Sequence, residues 1–448
     1  MSVIAQSTLH RIGQGCFYTC QVQCSQQSEP FRFVYDCGSS SKGDHLHKAI
    51  DRYVEELSES FIDFFVVSHY DEDHVNGLNY LFSKQVKIHT VCLPYLTRLQ
   101  RLLMGIRSNS YPAWYQNFLL NPVSFLERHE VERIIFVYGG EGDEGSNDDP
   151  PPFVPDSSRD SPFRKDFHLK PKVPHTNPLE FSSGGGAQNI HVESMSDKGP
   201  VYCGPCWELK FFNHDSFSPE LFSTLTTRTL IAADTSSDSK TKRWKEFVIA
   251  LLDAVGGDEL NPLEILRAIS NKGVRKLVKA AYRVIRNDHN DDSLALWHGP
   301  VLSRRRYCLE RIVARDDLRL ATGDANQANC NIGGGGGGTM LTGDLGLNKK
   351  FIFDEFTEHY KDYLDAVAFI QAPHHGAHKS WNAQLLDITP DHSPLFLSAG
   401  IGNTYGHPGA QVAEDVLRKN RPYYQGNQHN EISMWVYSIE AGPVSSLE

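Results

Sequence analysis

Phe61-Ile62-Asp63-Phe64-Phe65-Val66-Val67 runs without a break into Ser68-His69-Tyr70-Asp71-Glu72-Asp73-His74. The first seven residues are almost continuously apolar and of strand length, which predicts a strand buried on both faces. The second seven place four potential metal ligands, His69, Asp71, Asp73 and His74, within six residues. A turn at the end of a buried strand projects its side chains into a common space at the sheet edge. Imidazole and carboxylate together suit Zn²⁺ or Mn²⁺. The plainer reading is a charged surface loop. Against it, the preceding strand is too apolar to be exposed, and Val75-Asn76-Gly77-Leu78 follows.

Working outward, Phe31 to Tyr35 is a β-rich run that ends at Asp36-Cys37-Gly38-Ser39. Leu46, Ile50, Val54 and Leu57 have helical spacing, with Asp44 as the expected N-cap. A helix is expected from His74 through Leu81, then a strand at Lys87–Leu93. Helices near Leu96–Ile106 and Trp114–His129 and a strand at Ile134–Tyr138 complete residues 1–138. Composition then changes. Residues 139–187 are acidic and rich in Pro, Gly and Ser, so they read as a flexible insertion. Residues 188–239 resume the core, with a strand at Trp207–Phe212. Residues 240–286 carry three apolar stripes at helical spacing and read as a helical insertion or cap. Residues 287–448 alternate strand and helix, with strands at Ser293–Trp297, Met340–Thr342, Ala366–Gln371, Leu395–Ser398 and Ile432–Tyr437. The six glycines Gly333–Gly338 lack the Gly-Lys-Ser/Thr of a phosphate loop and are expected to form a flexible loop. The class is α/β.

Composition sets limits. The chain has 448 residues, 40% hydrophobic and 22% charged, which is ordinary for a globular protein. No stretch approaches the ~20 apolar residues of a membrane span, and no signal peptide is visible. A cytoplasmic protein without membrane contact is expected. Nine scattered cysteines, an odd number, argue for reduced thiols. Cys203-Gly204-Pro205-Cys206 matches a thioredoxin-like tetrapeptide, but it precedes a strand and does not open a helix. It reads as a tight turn. Net charge is −11, which disfavours tight nucleic-acid binding without excluding cutting. Local basic clusters stand at Lys272–Lys279 and Arg304–Arg306.

Three later segments carry residues of the same chemistry as the His69–His74 stretch. They are Leu341-Thr342-Gly343-Asp344, Ala372-Pro373-His374-His375-Gly376 and Asn403-Thr404-Tyr405-Gly406-His407-Pro408. Together with Asp36-Cys37-Gly38 and Asn290-Asp291-Asp292-Ser293-Leu294-Ala295-Leu296, these segments resemble, in order, the motifs of the metallo-β-lactamase superfamily. Asp71 stands where the second histidine of His-x-His-x-Asp-His is usual. That variant is similar to the soluble nuclease-like domain of ComEC-type competence proteins, without their membrane channel.

The resemblance implies a four-layer αββα sandwich interrupted by the insertion and the cap. It implies two divalent metal ions. His69 and Asp71 would hold one, Asp73 and His74 the other, Asp344 would bridge them, and His375 or His374 would complete the second site. Asp36, Asn290, Ser293, Thr342 and Tyr405 are expected to support these residues. A further family histidine has no clear counterpart, since His175, His191 and His214 stand in no recognisable context. The first site is therefore expected to be oxygen-rich, which favours Mn²⁺, with Mg²⁺ or Zn²⁺ as alternatives.

The implied activity is hydrolysis of phosphodiester bonds, with DNA as the first choice, by a water activated between two metals. Asp73 would orient that water, and His407 would meet the substrate phosphate or protonate the leaving group. Alternatives are a small-molecule hydrolase acting on a cyclic nucleotide, phosphoester or lactone, and a catalytically weak, metal-bound interaction subunit. A regulatory protein partner, as in antiviral defence, or a homo-oligomer is compatible with the long insertion.

Overall fold

The run at Phe61 forms β4 (Phe61–Val66), in which five of six residues are buried. It lies inside a sheet, parallel to β3 (Phe31–Ser39) on one side and β5 (Lys87–Pro94) on the other. That explains the missing alternation: both faces are covered. The computed structural model describes residues 2–25, 27, 29–57, 60–96, 101, 112–139, 190–204, 206–214, 228–235, 239–258, 293–302, 306–316, 330–333 and 336–440.

Two mixed sheets build the α/β fold. The first also contains β1 (Ser2–Leu9), β2 (Gly15–Cys24), β6 (Arg133–Tyr138), β7 (His191–Ser196), β11 (Arg306–Asp316), β12 (Cys330–Gly333) and β17 (Asn430–Glu440). Its order is β12-β11-β17-β1-β2-β3-β4-β5-β6-β7. The strands are antiparallel up to β3 and parallel from there to β7. The second sheet contains β8 (Val201–Cys203), β9 (Trp207–Phe212), β10 (Ala295–Pro300), β13 (Gly338–Leu341), β14 (Val367–Gln371), β15 (Leu395–Ser398) and β16 (Tyr423–Gly426). Its order is β16-β15-β14-β13-β10-β9-β8, parallel from β13 to β16 and antiparallel beyond.

Three hydrophobic clusters hold these parts together. One draws on both sheets and includes Phe33, Phe64, Phe211, Leu296 and Phe396. The Phe64 and Phe211 rings meet at 6.3 Å between centroids. A second cluster joins the first sheet to α1 (His45–Glu56), α3 (Leu78–Ser83), α4 (Ala113–Leu120) and α5 (Pro122–Glu127). A third joins the second sheet to α8 (Lys350–His359) and α9 (Ala410–Arg418). Each buried Phe or Leu contributes about 1.5–3 kcal/mol by leaving water, so these clusters anchor the strand ends that carry the polar residues described below.

Several elements differ from expectation. The helix expected over His74–Leu81 is two short helices, α2 (Glu72–Val75) and α3. They break at Gly77, where an added Cβ would lie 2.6 Å from the Cys37 sulfur. Asp44 occupies the N-cap of α1 without a side-chain capping bond and instead pairs with Lys48 at 3.0 Å. The glycine run is no simple loop. Gly333 ends β12 and Gly338 opens β13. A Cβ at Gly336 would collide with Ala366, and one at Gly338 with the Trp297 indole, at 2.4 Å each. The missing side chains are what let these neighbours close. Cys203 and Cys206 are both buried, on a turn whose Gly204 has φ +67°, as the tight-turn reading expects.

After α6 (Arg228–Ala233), the 240–286 segment begins within α7 (Ser239–Val255), which buries Val248, Leu251 and Leu252. Residues 140–189 and 259–292, which hold nearly all of the expected flexible insertion and the rest of the expected cap, lie outside the described residues, as do Lys272–Lys279 and Arg304 and Arg305 of the second basic cluster. Among the described residues no helix is long and apolar enough to cross a membrane.

Candidate metal centre

β4 carries the chain to Ser68 and His69 at the sheet edge, and α2 turns it back across Gly38. A Cβ on Gly38 would lie 2.6 Å from the Asp73 carbonyl oxygen and from the His74 carbonyl carbon. The glycine two residues after Asp36 is therefore needed for the close approach of the two loops.

Asp36 is fully buried, in the left-handed region at φ 59°. Its carboxylate accepts from the Ser68 amide (2.6 Å) and the Ser68 hydroxyl (2.6 Å), and meets His74 Nδ1 at 2.7 Å. Burial raises the Asp36 pKa, against the opposing pull of His74 and Ser68. With Nδ1 of His74 committed to Asp36, Nε2 is left to face the site.

The second sheet supplies the other half. Asp344 follows β13 on a turn whose Gly343 has φ +52°. Its amide donates to Ser293 Oγ at 3.2 Å. The amides of Thr342 and Gly343 both donate to Gln371 Oε1, at 3.0 and 3.2 Å, and Thr342 Oγ1 donates to the Gln371 carbonyl at 3.1 Å. The His374 amide donates to the Gly343 carbonyl at 2.9 Å, stapling the Asp344 turn to the double-histidine turn. His374 and His375 are consecutive non-glycine residues at positive φ, 49° and 56°. Such backbone costs about 1–3 kcal/mol per residue and persists where the surroundings enforce it. Here it aims both rings at one carboxylate.

That carboxylate is the centre of the arrangement. Asp344 Oδ1 lies 3.3 Å from His74 Nε2 and 3.7 Å from His375 Nε2. Asp344 Oδ2 lies 3.7 Å from His69 Nε2 and 3.3 Å from His374 Nε2. Around this core, Asp71 Oδ2 is 3.9 Å from His69 Nε2, and Asp73 Oδ2 is 3.9 Å from His375 Nε2. Two compact ligand groups result: His69, His74 and Asp344, and Asp73, His74 and His375.

Burial pushes the Asp344 carboxyl up, but the surrounding imidazoles, His374 foremost, hold it well below the usual range. Burial also opposes charging of His74, yet Asp344 and Asp36 together raise its pKa well above the ordinary value. For His375 burial prevails and lowers the pKa to about 4.

These distances test the fit of a cation. A nitrogen–carboxylate hydrogen bond closes to about 2.7–2.9 Å, as His74 Nδ1 does with Asp36. Donors sharing one ion at ~2.1 Å stand about 3.0–3.4 Å apart. On its other nitrogen the same His74 ring stands off at 3.3 Å. The buried His74 Nε2, His375 Nε2 and Asp344 Oδ1 have no hydrogen-bond partner among the described residues. Buried polar atoms left so are costly unless something satisfies them. A divalent cation fits this donor set of imidazoles and carboxylates.

The structure thus brings together His69, Asp71, Asp73, His74, Asp344, His374 and His375, and it places Asp36, Ser293 and Thr342 as their supports. The either-or expectation for the double histidine gives way to a division: His375 faces Oδ1 of Asp344 and His374 faces Oδ2. His191 and His214 are elsewhere, paired with Glu193 and with Glu355 respectively. His175 and Asn290 lie outside the described residues.

His407 stands beside the centre, its ring 5.3 Å from that of His374 and 6.2 Å from that of His375. Its Nδ1 accepts from Gln14 Nε2 at 3.0 Å. Burial, then His374, lowers its pKa. It does not cap α9, whose N-cap is Gly409. Tyr405 is 58% exposed, with its ring 5.8 Å from that of His407. Sequence reasoning missed Gln14, Ser68, Gln371 and Ser380, the last hydrogen-bonded to His374 Nδ1 at 3.1 Å. Only Ser68 carried a signal, its place directly before His69.

A comparison with protein-family models found no match, and neither did a search of curated proteins.

Proposed function

We propose that this chain is a dinuclear metal-dependent hydrolase of the metallo-β-lactamase superfamily that cleaves phosphodiester bonds, with DNA as its substrate. The observation that carries the reading is the sharing of Asp344: each carboxylate oxygen faces a different pair of imidazoles. A hydrolytic centre with two ions needs one such bridging carboxylate. The three clusters, helices against sheet, sheet against sheet and sheet against helices, support the αββα sandwich.

His69, Asp71, Asp344 and His374 would hold one ion, and Asp73, His74, Asp344 and His375 the other. His374 is the residue placed to supply the nitrogen that the absent family histidine would give. Both sets then contain two imidazoles and two carboxylates. The reason for an oxygen-rich first site lapses, and Mn²⁺ and Zn²⁺ become comparable choices. Divalent ions at such a centre supply Lewis-acid polarisation of the phosphate and a water that ionises near neutral pH.

The chain's own groups do the rest. Asp36 holds the His74 ring in the tautomer that leaves Nε2 available. Ser380 orients His374 through its Nδ1. Asp73, the more exposed carboxylate of the pair with Asp344, orients the attacking water. With Gln14 donating to Nδ1, neutral His407 carries its proton on Nε2, where it serves the leaving oxygen.

The test is cleavage of linear and circular DNA by purified protein with Mn²⁺, Mg²⁺ or Zn²⁺, beside an Asp73→Ala, His74→Ala control. Metal-dependent cutting that the control lacks is expected. Absence of cutting with every ion would refute the nuclease assignment.

A further inference from the structure

The loop between β15 and α9 displays Ile401 and Tyr405 to solvent, at 62% and 58% exposure. Tyr405 belongs to none of the three hydrophobic clusters, and no hydrogen bond of its hydroxyl occurs among the described residues. The loop is nevertheless held firmly. Asn403 Oδ1 accepts from the amides of Tyr405 and His407, at 3.1 Å each. Asn403 Nδ2 donates to the carbonyls of Gly400 (2.8 Å) and His407 (2.5 Å). Gln428 Oε1 accepts from the Ile401 amide at 2.8 Å. A large aromatic ring is thus fixed in the open on a braced loop. It lies 5.8 Å from the His407 ring at an interplanar angle of 29°, and His407 in turn lies 5.3 Å from His374. Leu417 and Leu309 are at least as exposed, so exposure alone marks nothing; what sets Tyr405 apart is its braced loop and its ring beside that of His407.

We propose that Tyr405 is a stacking platform that receives a nucleobase next to the scissile phosphate, making it a specificity-determining residue. The inference rests on the phosphodiesterase reading and deepens it by assigning the substrate class: nucleotides, recognised through a base and not through backbone charge. Every base offers a π-face, so stacking is tolerant of sequence. The chain's net charge of −11 points the same way. A protein that gains little from phosphate neutralisation needs another source of affinity, and stacking on a π-face supplies one. Ile401 is a second exposed apolar side chain on the same loop.

The experiment uses the full chain loaded with Mn²⁺, as wild type, Tyr405→Ala and Tyr405→Phe. Calorimetric titration compares thymidine 5′-monophosphate with methyl phosphate. In parallel, turnover of thymidine 5′-(p-nitrophenyl phosphate) is compared with that of methyl p-nitrophenyl phosphate. For wild type the nucleotide binds more tightly than methyl phosphate. Tyr405→Ala lowers that preference about tenfold, and Tyr405→Phe retains it. Two results overturn the proposal: no preference for the nucleotide in wild type, or equal losses on both compounds in Tyr405→Ala, the mark of a ring that merely positions His407. If neither ester is turned over and DNA is not cut, while the base preference still depends on Tyr405, the hydrolase reading falls and the platform stands.

Discussion

Two histidines in this molecule are equally buried and behave in opposite ways. His298, on β10 between the sheets, is 1% exposed, and His74, at the strand ends, is also 1% exposed. His298 has Tyr18 as its hydrogen-bond partner, at 2.9 Å, and burial alone drives its pKa down to about 3. His74 sits between the carboxylates of Asp36 and Asp344, which overcome burial and drive its pKa up. Burial is common to both, so burial does not make a site. What distinguishes the strand-end edge is a carboxylate on each side of the ring, one close enough for a hydrogen bond and one standing off. The inter-sheet core uses its histidine in packing, while at the edge His74 Nε2 stands 3.3 Å from Asp344 in a donor set that could hold a metal ion.

The contrast can be broken in four ways. The largest effect is expected for Asp344→Asn, which removes the shared charge from both halves of the centre. DNA cleavage should fall by about 10³-fold or more, with loss of bound metal and little change in thermal unfolding of the apo protein. Retained metal content would show that the carboxylate is structural. Next, His298→Ala should cost about 2–4 kcal/mol of stability in denaturant titration and leave metal stoichiometry intact. A loss of metal there would erase the distinction between the two regions. Third, Asp36→Asn should weaken metal affinity by about 10–100-fold through His74 orientation, measured by competition with a chromophoric chelator.

The smallest effect concerns a carboxylate that the core does bury. Glu208 on β9 is 3% exposed and accepts from the Leu302 amide at 2.9 Å, and burial raises its pKa from 4.5 to about 7. The folded state therefore holds a proton that the unfolded chain releases above pH 4.5. Stability should decline as pH rises from about 4.5 to 7 and level off beyond, by on the order of 1–3 kcal/mol. Glu208→Gln should flatten that window. An unchanged pH profile in the variant would assign the decline to other groups.

The same contrast explains what the sequence revealed and what it withheld. The His69–His74 cluster was legible because its ligands are adjacent in sequence and follow an uninterrupted apolar strand. Asp344 and the double histidine were legible as short local patterns. Gln14, Gln371 and Ser380 were not, because each is a lone polar residue with no pattern around it, and the partner of Gln14, His407, is 393 residues away in the chain. Nor was the division of His374 and His375 between the two oxygens of Asp344, which depends on two left-handed residues in succession. β11 escaped for another reason: Leu309 points outward at 64% exposure while its neighbour Glu310 is buried, which inverts the alternation that marks a strand. The glycine run misled because small size was read as freedom, whereas Trp297 and Ala366 occupy the space that side chains would need.

The central claim is that Asp344 joins two cation positions. Metal content per chain, determined by native mass spectrometry on wild type and Asp344→Asn after Mn²⁺ or Zn²⁺ loading, tests it most directly. The account predicts two ions per wild-type chain and a loss of both, or of all but weak binding, in the variant. A wild-type chain that retains no ion, or a variant that still holds two as tightly, would contradict it.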